Sequence, residues 1–557
     1  VVKVPRIVVG APASGQGKTT VAVGIMAALT RSGLAVSPGK VGPDYIDPGY
    51  HALATGRAGR NLDPWLLGPE RIGPMMLHGF LTPGPADVAV IEGVMGLFDG
   101  QIGGDGFAST AHVAQLTSSP VVLVVDISST SRTVAAIVHG LRSFDPSVNV
   151  VGVVLNKAGS TRHASEARQA IEGIGVEVLG VLPRDATLHV PSRHLGLVPA
   201  AERADAAAAM ERLAEQTAQH LDLTRLMDVA QGAPDLHDEP WRPPRVAATL
   251  ARPRIAIAGG RAFTFRYAET EELLRATGCE TVIFDPANDV ELPPGTHGLY
   301  LGGGFPEAHT AALAGNRRLL REIRDAVEAG MPTVAECAGL LYLAQSLDGY
   351  DLVGAVPTTA TMGTSLVIGY RSATLATDSV LGHAGVQVHA HEFHRTRTAS
   401  ASVGQGAWDV GGMPVGFALD PASTGRATLH ASYLHVHWAG SPGIGLAFAD
   451  AASAFAASPV LRGEVNDDAV VIDIGECERR ILDPLEHHGD VELEPGLIDL
   501  AVNVRLPRPP AWLMTTIEAT LPGLGRYPDA RAARSAIARR HGVPESMVLP
   551  TSGGAEA

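Results

Sequence analysis

A chain of 557 residues is longer than one hydrophobic core can serve, so two or three domains are expected. Its 45% hydrophobic and 18% charged residues exclude a disordered chain, and a formal charge of −15 excludes nucleic acid as the main partner, since such binding needs a basic face. No apolar run is long enough for a bilayer, VVKVPRIVVG is too short for a secretory segment, and Cys279, Cys337 and Cys477 lack disulfide or zinc spacing. A cytoplasmic protein with no membrane contact is expected.

Short Val/Ile-rich runs at 6–10, 88–92, 120–126 and 150–156 alternate with helical patterns, which predicts a doubly wound parallel α/β sheet over residues 1–226. Residues 227–251 are rich in Pro and Asp, have no sustained period and read as a linker. A second α/β series, opening at Arg254, fills 252–465, and 466–557 reads as a partial third domain.

Ser14-Gly15-Gln16-Gly17-Lys18-Thr19-Thr20 follows the first strand and opens the amphipathic run 21–29, the setting of a phosphate loop. Gly15 and Gly17 let backbone N–H groups approach phosphates, Lys18 neutralises the β/γ oxygens, and Thr19 can hold Mg²⁺, with Ser14 and Thr20 completing the nucleotide site. Pro12 stands where the regular loop has Gly. A partition-type ATPase would carry Lys in place of Ala13, and a GTPase would carry Asp in place of Gly159 after Asn156-Lys157-Ala158, so both classes are set aside. Asn156 is a candidate for the adenine edge, with capping of the following turn as the alternative.

Two further motifs, Lys40 to Pro48 and Val90 to Gly100, set carboxylates at the C-terminal ends of strands, where α/β sheets bind ligands. Activating a carboxylate with ATP brings two anions together and needs Mg²⁺ on hard oxygens. Asp44 and Glu92, with Thr19, are the metal candidates, Asp47 is assigned to substrate positioning, and Asp99 reads as an Asx turn.

Met331-Pro-Thr-Val-Ala-Glu336-Cys337-Ala338-Gly339 passes from a strand through small residues into an apolar helix, the pattern of a nucleophile elbow. There Cys337 would attack the glutamine amide, its thiol pKa lowered by the helix N-terminus. Gly303 and Gly304 at a second strand end, with the N–H of Ala338, are the oxyanion candidates, and His435 is the candidate base. Triad glutaminases carry His-x-Glu at this place, whereas this chain has His437 where the Glu would stand.

Gly42-Pro-Asp44-Tyr-Ile-Asp47-Pro, the stretch Thr55 to Trp65, Glu92-Gly-Val-Met-Gly-Leu-Phe-Asp99-Gly and Pro191-Ser-Arg193-His194-Leu-Gly-Leu-Val together resemble the cobyrinate and hydrogenobyrinate a,c-diamide synthases of cobalamin biosynthesis, over about residues 5–460. The resemblance implies a P-loop, dethiobiotin-synthetase-like ligase domain joined to a class I glutamine amidotransferase domain. It also implies ATP and glutamine as co-substrates, Mg²⁺, and a corrinoid polycarboxylate amidated through an acyl phosphate. Arg57, Arg60, Arg184, Arg193 and His194 would meet that polyanion, and the group's Cys–His dyad without an acid matches His437 here. His389, His391 and His394 around Glu392 fit the group's His-Glu-Phe-His stretch and read as a structural cluster. Cobyric acid synthase or another amide ligase of the group is the alternative, and a homodimer is the candidate assembly.

Ammonia exposed to water is protonated and lost as a nucleophile, so a sheltered path between the two halves is expected. The segments at 499–507, 524–529 and 551–556 resemble the opening of a threonine-phosphate decarboxylase-type pyridoxal-phosphate enzyme.

Overall fold

The computed structural model describes residues 2–184, 192–193, 196–197, 202, 205–244, 252–399, 406–458, 535 and 538–540. Residues Val1–Glu464 form one compact unit and Val465–Ala557 another, so the reading of the tail lies almost wholly outside the described residues. Among the described residues no helix is long and apolar enough to cross a membrane.

The first sheet holds β1 (Arg6–Gly10), β2 (Val36–Val41), β3 (Arg60–Leu62), β4 (Val88–Glu92), β5 (Val121–Asp126), β6 (Val150–Ala158) and β7 (Glu177–Pro183). Their order is β3-β2-β4-β1-β5-β6-β7, and every pair is parallel. Strands buried on both faces carry apolar residues at consecutive positions, and β1 shows the result: Val8 enters one core while Ile7 and Val9 enter the other. Helix α1 (Lys18–Arg31) departs from the expected amphipathic run, because Val21 to Leu29 are all buried. The helix Ala206–His220 covers its outer side, close enough that a Cβ on Gly24 would lie 2.3 Å from Thr217 Oγ1.

The linker expected over 227–251 starts later than its composition suggests. Helix Leu223–Gln231 buries Leu226 and Ala230 in the first domain, and the chain beyond it is tied back. Leu236 and Val2 exchange backbone bonds of 2.9 and 3.0 Å, Arg6 donates to Pro234 O, and the Trp241 N–H donates to Pro74 O. Each of these partners lies more than 160 residues away along the chain, so no local pattern displays them.

In the second domain a six-stranded sheet runs Glu280–Phe284, Arg254–Ala258, Thr296–Leu301, Thr333–Glu336, Leu429–Ser432 and Phe417–Leu419, parallel except for the last pair. A further sheet is built on the long antiparallel hairpin of Val356–Leu375 and Gln387–Thr398, to which Leu434–Val436 adds. The two domains share one core: Tyr45, Tyr50 and Leu66 of the first pack with Phe265, Tyr267 and Phe305 of the second. Each such buried side chain contributes about 1.5–3 kcal/mol, which makes the contact a structural element in its own right. Trp65 extends it, stacked on His389 at 4.3 Å and on Tyr370 at 5.4 Å.

Candidate active site

The phosphate loop stands at the C-terminal edge of β1. Gly15 (φ 80) and Gly17 (φ 90) adopt left-handed backbone that L side chains resist, and α1 begins at Lys18 with no side chain capping its N–H groups. Those donors face the loop, with Ser14 exposed on it and Thr20 in the first turn of the helix. Asn156 braces the loop: its Nδ2 donates to Gln16 O at 2.9 Å and its Oδ1 accepts from the Lys157 N–H. Its Oδ1 thus caps the turn that follows it, while its Nδ2 ties the strand end to the phosphate loop. The Lys18 ammonium is pushed down to about 8 by burial and then by Lys40.

Beside the loop lies a buried cluster that differs from the expected metal set. Thr19 Oγ1 donates to Glu92 Oε1 at 2.5 Å and lies 3.4 Å from Asp47 Oδ2. Lys40 Nζ donates to both carboxylates, at 2.6 Å to Asp47 and 2.9 Å to Glu92, and His51 Nε2 donates to Glu92 Oε2 at 2.7 Å. Asp44, the expected metal ligand, instead turns back: its Oδ1 accepts from the N–H groups of Ile46 and Asp47. Asp47 thus faces Thr19 and Glu92, and Asp44 shapes the turn that presents it. Lys40 and His51 were not singled out from the sequence. The signal for Lys40 was a lysine near the end of a buried strand, and in the β2–β4 pairing it stands opposite Glu92.

Burial would lower Lys40, but Asp47 and Glu92 outweigh it and keep the ammonium charged. Burial would raise Glu92, but Lys40 and His51 hold it a carboxylate, while Asp47 is pushed up by burial and then by Asp44 and Glu92. Three oxygen-bearing side chains, Thr19, Asp47 and Glu92, meet at one point beside the loop. Among the described residues no three His, Cys, Asp or Glu are placed to hold a metal by themselves. One hydroxyl and two carboxylates do fit Mg²⁺, which commonly completes its shell with phosphate oxygens and water. The Lys40 ammonium bridges Asp47 and Glu92.

The basic residues expected to meet substrate are placed differently. Arg57 directs Nη2 at the carbonyl oxygens of Gly79, Phe80, Thr82 and Gly84, 2.6–3.2 Å away. Arg60 is buried at the domain contact, its guanidinium donating to Glu269 at 2.9 Å and Glu272 at 2.6 Å. Both guanidinium groups are taken up by the protein, a correction to their substrate role. Arg184 is exposed. Arg193 lies on the two-residue strand Ser192–Arg193, with a side chain outside the description, and His194 lies outside the described residues. Asp99 Oδ2 accepts from the Gly96 N–H, closing a turn.

In the second domain Cys337 caps the strand Thr333–Glu336 with φ 48 and ψ −94, the strained geometry of an elbow. Its thiol is pushed up, against expectation: burial and the nearby Glu307 carboxylate outweigh the Ala338 N–H, and the helix Ala338–Leu343 has only six residues. The Gly303 N–H is given to Phe265 O at 3.0 Å, so the oxyanion donors remaining from the expected set are those of Gly304 and Ala338. Gly303 serves the base instead, since a Cβ there would lie 2.4 Å from His435 Cε1 and its bareness seats the imidazole. His435 is fully buried, which pushes it down to about 3, and its Nδ1 lies 3.8 Å from Glu336 Oε2.

His437 points elsewhere, its ring 4.1 Å from that of Tyr267 and its Nε2 3.5 Å from Glu269 Oε2. The His389–His394 stretch divides its labour. His389 binds Trp65 O, and His394 stacks on Tyr433 at 3.6 Å and bonds Glu392, which Arg371 also holds. Between the two centres stands Tyr45, whose ring lies 4.8 Å from that of His435 and 5.2 Å from that of Phe265.

Residues 7–198 match the CobQ/CobB/MinD/ParA nucleotide binding domain, and residues 254–443 the CobB/CobQ-like glutamine amidotransferase domain. A P-loop sheet fused to a cysteine elbow of that kind defines a glutamine-dependent amide ligase. The hydrogenobyrinate a,c-diamide synthase of Thermobifida fusca is 56% identical over 459 residues, covering 81% of this chain and 97% of its own. That of Streptomyces coelicolor is 48% identical over 479 residues (80% and 97%), and the cobyrinate a,c-diamide synthase of a Synechococcus species 39% over 443 (78% and 96%). The chain belongs to the a,c-diamide synthase family.

Proposed function

We propose that this chain converts the a and c acetate carboxylates of hydrogenobyrinic acid to amides, using ATP and glutamine. The metal-free ring is favoured by the higher identity to hydrogenobyrinate enzymes than to a cobyrinate enzyme, 56% against 39%. The observation that carries the coupling of the two halves is Tyr45: its ring rests on His435, and it lies two residues from Asp47 in the ligase cluster.

In this reading the N–H groups of the loop and Lys18 hold the phosphates, and Thr19, Asp47 and Glu92 hold Mg²⁺. The ion would supply charge neutralisation at the phosphate oxygens. The substrate carboxylate attacks the γ-phosphorus, ADP leaves, and an acyl phosphate forms. Across the wall His435 takes the Cys337 thiol proton as Sγ attacks the glutamine amide carbon, and the oxyanion faces the N–H groups of Gly304 and Ala338. His435 returns the proton to the departing nitrogen, so ammonia leaves, and water then cleaves the thioester to glutamate. Ammonia passes Tyr45, attacks the acyl carbon and displaces phosphate.

Cys337→Ala tests the division of labour. Glutamine-supported synthesis from hydrogenobyrinic acid should vanish while ammonium-supported synthesis persists; equal loss with both nitrogen donors would refute the reading.

A further inference from the structure

We infer that Glu336 is the positioning acid of the glutaminase centre: its carboxyl orients the His435 ring through Nδ1, the role that an acid two residues beyond the base plays in triad glutaminases. The inference rests on His435 as the base. His437 occupies that later position but faces Glu269 and Tyr267 at the domain contact, so it cannot serve. Glu336 immediately precedes Cys337, and its Oε2 stands 3.8 Å from His435 Nδ1. Neither ring nitrogen of His435 has a hydrogen-bond partner among the described residues, although the ring is fully buried. Catalytic hydrogen bonds are often long before substrate binds, and here a shift of about an ångström closes the gap.

The carboxyl is itself held in place. The Tyr300 hydroxyl donates to Oε2 at 3.1 Å from the neighbouring strand Thr296–Leu301, whose Tyr300 is in register with Val334. Its chemistry follows from burial. An imidazolium formed when His435 takes the thiol proton would be a lone cation in a dry site, and a carboxylate at Nδ1 offsets that cost. Burial also pushes the Glu336 carboxyl up to about 8, so its effective form grows in as pH rises through that value. The titratable groups around it are Tyr300 from the adjacent strand, His435 from Leu434–Val436 of the other sheet, Cys337 next in the chain, and Tyr45 and Tyr267, each of which feels the Glu336 charge.

The test uses the full chain with ATP and hydrogenobyrinic acid, reading glutamate release against pH and, separately, ammonium-supported synthesis. Glu336→Gln keeps the side-chain shape and should lower glutaminase kcat about 10²-fold, with KM for glutamine within about twofold and ammonium-supported synthesis intact. The rise of kcat near pH 8 should disappear with it. Tyr300→Phe removes the donor and should move that rise to higher pH, which decides the matter if the Gln variant fails to fold. A wild-type kcat and an unchanged rise in Glu336→Gln, or an unmoved rise in Tyr300→Phe, overturns the inference. His435→Asn should abolish glutamate release in every case; if it does not, the assignment of the base fails instead.

Discussion

Asp44 and Asp47 lie three residues apart in one motif, and the direction of each side chain separates their roles. Asp44 spends an oxygen on two backbone N–H groups, whereas Asp47 faces Lys40 and Thr19. Asp47→Asn should therefore cut ammonium-supported synthesis about 10²-fold and raise the Mg²⁺ concentration needed, measured as initial rate against added Mg²⁺. At Gly303 the constraint is steric. Gly303→Ala would drive the His435 ring aside and should cost glutaminase activity about 10²-fold while sparing synthesis from ammonium. The loop lysine, Glu92, the elbow and His435 could be nominated from the sequence because motifs with a mechanism name their residues. Lys40, His51 and Glu336 could not, since the contacts that single them out are with partners 41 to 99 residues away, and Glu336 sits beside a neighbour that draws the eye first.

Arg57 shows how an element can depend on one cation. Its guanidinium gathers the carbonyls at the end of helix Ile72–Leu81 and the turn after it, groups that a helix C-terminus leaves without partners. Arg57→Ala should lower unfolding free energy by about 2–3 kcal/mol in a denaturant titration, with synthesis per folded molecule unchanged. Strands β1 and β4 were readable to the residue because consecutive Val and Ile bury on both faces of a parallel sheet. The 20-residue strand Val356–Leu375 was not: it carries Thr, Gly and Ser, exposes much of its length, and owes its regularity to pairing with Gln387–Thr398.

Across the whole unit, Arg60 ties the domains through two acids, and Glu272 also receives His78 at 2.8 Å. Arg60→Ala takes the guanidinium from the buried Glu269 carboxylate and should cost about 3–5 kcal/mol. Its functional signature should be leakage: more glutamate released per amide formed, read from the ratio of the two products. Acid should act on the same scale. Burial holds His430 and His435 down to about 3, and His391 and His437 to about 4, below the 6.5 of an unfolded chain. Their neutral forms contribute stability that is complete above pH 6.5. It is lost as pH falls, because the unfolded chain takes up protons that the folded one refuses. The thermal midpoint should drop steadily from pH 7 to pH 4, and replacing His430 with an apolar residue of similar volume should flatten the slope. That two catalytic centres share a single core was not written in any local run of residues, because it depends on aromatic side chains more than 200 positions apart.

The ring of Tyr45 belongs to the acid-activating motif yet touches the imidazole of the other half. On the proposed function, a movement of the 42–48 segment as its acid binds would press on the imidazole where glutamine is cut. Thrift with nitrogen would then need no separate messenger, since one phenol would be both partition and informant.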